Sequence, residues 1–118
     1  MPVEKSINAY NDGKMNCAQS ILRGFKEHFE VSDHDIAEAR KIGGGRAENG
    51  LCGALHSAIT LVRDEKKKTF ISTNFIEAAG SDKCREIRKI NRLKCSACVK
   101  LAANLLHKET IGTSTDEQ

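Results

Sequence analysis

Five cysteines, at positions 17, 52, 84, 95 and 98, are the residues of this chain best suited by type to do chemistry. A thiolate is a nucleophile and also a ligand for soft or borderline metals. The set therefore points to disulfide exchange, to an iron–sulfur cluster or, less directly, to zinc. Cys17, Cys52, Cys84 and Cys95 each fall where the apolar periodicity places the first turn of a helix, and each begins that helix's apolar stripe. Unpaired N–H groups and the macrodipole at a helix start favour negative charge and so stabilise thiolate. A stripe faces the core, so the four sulfurs are expected to point inward and converge. Cys52 is expected to be the most easily ionised, because a glycine-flanked entrance gives it donors and access together. A free cysteine is also a common small core residue, but packing alone does not require four at one helical position.

The stretch Gly43-Gly44-Gly45-Arg46-Ala47-Glu48-Asn49-Gly50-Leu51-Cys52-Gly53-Ala54-Leu55 interrupts two helical patterns and delivers Cys52 to the start of the second. Gly44, Gly45 and Gly53 are the candidate cofactor-binding residues, since glycine lets backbone approach a ligand closely. Cys95-Ser96-Ala97-Cys98 is a C-x-x-C at a helix start, although the βαβ context of thioredoxin-like folds is absent. Cys98 therefore reads as a resolving thiol, a spare ligand or core. His56, one turn after Cys52, is a candidate base or ligand. Arg46 and Arg85 flank two of the thiols and could hold them ionised, whereas His28, His34 and His107 lie among charges and read as surface. The long gaps between cysteines differ from the paired C-x₂-C units of a zinc ribbon, so spacing does not name a metal.

The elements that must position these thiols are helical. The one proline is at position 2 and β-alternation is scarce, so the fold class is all-α: a compact bundle of about five to six short helices with cysteines at helix N-termini. A short helix is expected over 3–11 and a second, capped by Asn16, over 17–29. A third, opened by a Ser32/Asp35 capping box, should reach Ile42. Further helices are expected from Cys52 to Val62, from Thr69 to Ala79, across Cys84, Ile87 and Ile90, and over 94–107. Thr69–Thr73 alone could pass for a strand. Residues 1–108 form one domain, and 109–118 is polar and patternless, a flexible tail.

Composition narrows the function. A net charge of +3 with four Phe, one Tyr and no Trp leaves little for a nucleic-acid surface, so no nucleic-acid partner is expected. Lys66-Lys67-Lys68, the densest basic run, reads as a solvated helix end or loop. Neither an N-terminal apolar h-region nor an apolar run near the ~20 residues of a membrane span is present, so a soluble cytoplasmic protein without membrane insertion is expected. An odd cysteine count in a reducing compartment argues for metal binding or redox chemistry over a disulfide framework. The partner should then be an unidentified redox partner, and a homodimer is compatible with the sequence.

Asn16-Cys17-Ala18-Gln19, Gly43-Gly44-Gly45, Cys52-Gly53-Ala54, Cys84-Arg85-Glu86-Ile87 and Cys95 ahead of Val99 and Ala102-Ala103 together resemble the C-GCAxxG-C-C family of small bacterial proteins, over roughly residues 10–106. The resemblance implies a helical fold and redox activity, with the family's four cysteines on Cys17, Cys52, Cys84 and Cys95. The same resemblance keeps an iron–sulfur cluster on these cysteines as an alternative to thiol/disulfide or electron-transfer chemistry. Leu51 precedes Cys52, and Ser57 stands where the motif's last glycine is expected, which should loosen helix packing slightly. Cys98 lies outside the pattern and is expected to be dispensable where Cys95 is not. A purely structural helical protein with buried thiols is the remaining reading.

Overall fold

The computed structural model describes residues 2–12, 15–43, 47–90 and 94–111, with the side chain of Glu48 excepted. Among them are eight α-helices: α1 (Pro2–Asp12), α2 (Cys17–Gly24), α3 (Lys26–Phe29), α4 (Asp33–Glu38), α5 (Gly53–Leu61), α6 (Glu65–Ala79), α7 (Cys84–Ile90) and α8 (Cys95–Thr110). Short 3-10 turns cover Ala39–Ile42 and Glu48–Gly50. No strand is formed among these residues; a single antiparallel bridge joins Leu51 to Lys83. The fold is thus all-helical, in more and shorter pieces than the periodicity suggests.

Two helix starts follow directly from side-chain chemistry. The Asn16 side chain accepts from the Gln19 amide at 2.8 Å, and the Gln19 side chain accepts from the Asn16 amide at 3.1 Å. This reciprocal box satisfies two orphan donors and fixes Cys17 as the first residue of α2. Ser32 and Asp35 make the same box at α4. Asn16 also donates to the Arg40 carbonyl at 3.0 Å, and Gln19 donates to the Ile36 carbonyl at 3.1 Å. The α2 start is therefore pinned to the α4 segment, and Gly43 lies so near that a Cβ there would stand 2.5 Å from Asn16 Nδ2.

Several boundaries differ from expectation. The helix expected over 17–29 breaks at Phe25 (φ −105, ψ 15) into α2 and α3. Buried Gly24 precedes the break and packs against Ser6 of α1, so tertiary contact overrides continuity there. The stretch expected to end at Ile42 tightens into a 3-10 turn after Glu38. α6 starts four residues earlier than expected, because Asp64 accepts from the Lys66 amide at 2.8 Å as its N-cap. Lys66-Lys67-Lys68 is thus part of the helix, and Thr69–Thr73 is helical too. α8 continues to Thr110, past the expected tail boundary at 109; residues 112–118 lie outside the described residues.

The core gathers Ile21, Phe25, Leu55, Ile71, Phe75, Val99 and Leu106, each essentially inaccessible. In α6 the buried line is Ile71, Phe75 and Ala79, while Phe70 and Ile76 are exposed. In α8 the inner face centres on Cys98, Val99, Ala102, Ala103 and Leu106. α2, α5 and α8 pack mutually, with α1 across α2 and α8 and α6 against α5 and α8. No helix is long and apolar enough to cross a membrane among the described residues.

Candidate functional site

Three of the mutually packed helices, α2, α5 and α8, present cysteines at their starts. Cys17 and Cys95 are the first residues of α2 and α8, Cys84 is the first of α7, and Cys52 is the residue immediately before α5. The Leu51–Lys83 bridge and the Cys52 amide, which donates to the Asp82 carbonyl at 2.8 Å, tie the start of α5 to that of α7. Gly53 lets α5 press against the start of α2: a Cβ there would lie 2.8 Å from Cys17 Sγ and 3.2 Å from the Ala18 Cβ. Its missing side chain makes room for a sulfur.

The result is one cavity of about 150 Å³ lined by Cys17, Cys52, Cys84, Cys95 and Cys98 together with Ile87, Arg88 and Lys94. None of the five cysteines is in a disulfide; four are buried and Cys95 is half-buried. Cys98, set outside the sequence pattern, stands inside the site. Gly44, Gly45 and Arg46 lie outside the described residues. Arg85 is exposed and is not among the cavity's lining residues. His56 does not line this cavity either; it borders a separate groove with Leu22, Val31, Ile42 and Leu61, its Nδ1 buried without a partner. Ser57, rather than loosening the packing, donates to the Ala18 carbonyl at 2.9 Å and ties α5 to α2.

Inside the cavity the thiols form a donor chain. Cys17 donates to Cys52, which favours ionisation of Cys52, but Cys52 itself donates to Cys98 and is buried beside that sulfur's charge. The opposing effects win, and Cys52 is pushed up to about 12. The Cys98 thiol is held below its ordinary value, first by the hydrogen bond from Cys52, against burial and the neighbouring cysteines. The expectation that Cys52 ionises most readily is therefore corrected: it is raised, and the lowered thiol of the pair is Cys98. A helix start does lower thiol pKa, but a direct hydrogen bond between sulfurs decides which thiol benefits.

On the other side of the cavity, burial raises Cys84 while the nearby Arg88 guanidinium opposes that rise. Arg88 also donates to Cys95, as does the Tyr10 hydroxyl of α1. Arg88 is held more firmly protonated, first by Cys84 and then by Cys95. Burial first, and Cys95 next, push the Tyr10 phenol up. Neither residue belongs to the candidate set read from sequence. Arg88 was findable, since it stands four residues after Cys84 on the same face of α7. Tyr10 reaches Cys95 only through the packing of α1 on α8.

The order of these residues along the chain can be set against known families. A family model described as "Putative redox-active protein (C_GCAxxG_C_C)" matches residues 15–109. The chain belongs to this family. No curated protein matches it, and no solved structure does. The C_GCAxxG_C_C match spans every cysteine of the cavity, Cys98 included, and begins just before the Asn16 cap. Thiolates are the donors an iron–sulfur cluster or zinc would take. Among the described residues, however, no group of three or more His, Cys, Asp or Glu side chains is disposed to hold a metal ion.

Proposed function

We propose that this protein is a dithiol–disulfide oxidoreductase in which Cys98 is the attacking thiol and Cys52 the resolving one. The observation that carries this reading is the gathering of all five cysteines around one cavity, with Cys52 hydrogen-bonded to both Cys17 and Cys98. The Cys98 thiolate attacks one sulfur of a substrate disulfide. A Cys98–substrate bond forms, the substrate S–S bond breaks, and the leaving thiolate is protonated. Cys52 then loses its proton, attacks Cys98 and expels the second substrate thiol. Two protein thiols become one disulfide, and one substrate disulfide becomes two thiols. A hydrogen bond between two sulfurs places them within reach of bonding with little backbone movement. Cys95, held by Tyr10 and Arg88, is the one thiol of the five that is not buried.

Kinetic trapping tests the assignment. Reduced Cys52→Ser protein is mixed with hydroxyethyl disulfide, quenched by rapid alkylation and mapped by mass spectrometry. A mixed disulfide accumulating on Cys98 supports the reading; an adduct on Cys95 or Cys84, or none at all, overturns it.

A further inference from the structure

Beside the cysteine cavity lies a second, larger one of about 730 Å³, which shares Cys84 and Arg88 with it. The remaining charged residues of this groove are Lys83, Arg85, Lys89 and Glu86. Four cations thus face one carboxylate. That carboxylate is engaged, since Glu86 Oε1 accepts from the Ser81 hydroxyl at 2.7 Å. Lys83 reaches Asp82 at 3.7 Å, while Arg85 and Lys89 form no ion pair among the described residues. A cleft lined by one sign of charge focuses field and concentrates ligands of the opposite sign.

Size divides the work between the two cavities. About 150 Å³ is below the usual range of ligand pockets, roughly 300–1,000 Å³, whereas about 730 Å³ is well within it. A substrate larger than a few atoms can bring only its reacting end among the cysteines, and its body must rest outside. The groove that adjoins Cys84 and Arg88 is the place beside them with the volume to hold it.

We infer that the groove bounded by Lys83, Arg85, Arg88 and Lys89 binds the carboxylates of a small anionic disulfide and feeds its sulfurs past Cys84 into the cysteine cavity. The inference rests on the dithiol reading and adds the substrate class to it. Guanidinium groups suit carboxylates because their fork of donors matches the two oxygens. Arg85 and Lys89 supply binding and selection; the thiols supply the exchange.

The test uses the full chain, reduced, in stopped-flow oxidation by three probes: oxidised glutathione (anionic), hydroxyethyl disulfide (neutral) and cystamine (cationic). Each is compared between the parent and the Arg85→Gln, Lys89→Gln double variant, so that intrinsic reactivity cancels. The anionic-to-neutral rate ratio is expected to fall roughly tenfold in the variant and at high salt, with the cationic-to-neutral ratio rising. Ratios that stay the same in parent and variant overturn the groove assignment while leaving the dithiol reading intact. If none of the three probes oxidises the parent, the dithiol reading itself fails, and the groove assignment falls with it. Circular dichroism and the melting temperature confirm that the variant is folded; both substituted side chains are exposed.

Discussion

Replacing Gly53 by Ala sets two rules against each other. Helix propensity favours alanine by up to about 1 kcal/mol, and less at a first helical position such as this one. Packing opposes it, since the new Cβ would stand 2.8 Å from Cys17 Sγ, 3.3 Å from the Ala18 amide nitrogen and 3.2 Å from the Ala18 Cβ. Ordinary contact is about 3.5–4.0 Å, so the sulfur must retreat by roughly 1 Å. Cys17 is poorly placed to retreat, being 7% exposed and held inside the Asn16–Gln19 box, one residue after Asn16. Overpacking of this kind costs about 1–3 kcal/mol, leaving a net loss of about 1–2 kcal/mol. For 118 residues at about 2.1 cal/mol/K each, that loss lowers Tm by about 4–8 °C. The retreat should also break the donation from Cys17 to Cys52, raising the Cys52 pKa further. Thermal melts under reducing conditions, paired with alkylation rates against pH, read both effects. A Gly53→Ala protein that melts at or above the parent temperature, with unchanged thiol titration, would refute the reasoning.

Other consequences follow from the same geometry. Ser57→Ala should lose about 1–2 kcal/mol in urea unfolding, because the buried Ala18 carbonyl loses its donor across the α2–α5 contact; equal stability would show that this bond contributes nothing. Cys52→Ala should raise the Cys98 pKa, since the hydrogen bond from Cys52 is the leading cause of its depression; an unchanged alkylation profile at Cys98 contradicts that. Stability of the reduced protein should depend on pH in two opposite limbs. The lowered Cys98 value adds stability as pH rises through it, complete above the unfolded thiol value of about 8.5. Cys52, held up to about 12, contributes stability that is present below about 8.5 and lost as pH rises toward 12. The difference between the parent and a Cys52→Ala, Cys98→Ala variant should therefore peak near pH 8.5 in urea melts; a monotonic difference goes against the pairing.

Much of this site could be read from the chain, and the misses have physical causes. Asn16 and Ser32 announce their helices because a capping box is local, complete within four residues. Of the cysteines only Cys17 follows such a box; α5 and α8 begin without a side-chain cap, and there the apolar stripe carries the signal. The break at Phe25 was hidden, because its cause is Gly24 meeting Ser6 of another helix. Cys98 is legible as a neighbour of Cys95, three residues on along the same helix face, and only the family pattern leaves it out. Which thiol ionises is not legible locally, because helix dipoles act alike on several thiols, whereas donation between sulfurs depends on which two touch. Tyr10 carried no local signal; only the packing of α1 against α8 brings it to Cys95.

Disulfide mapping by mass spectrometry across a thiol–disulfide redox titration of the intact, anaerobically purified protein tests the central claim most directly. The account predicts one reversible two-electron transition in which Cys52 and Cys98 become linked, with Cys17, Cys84 and Cys95 still open to alkylation at its midpoint. A protein whose five thiols stay reduced across the titration, or whose first disulfide excludes Cys98, would contradict it.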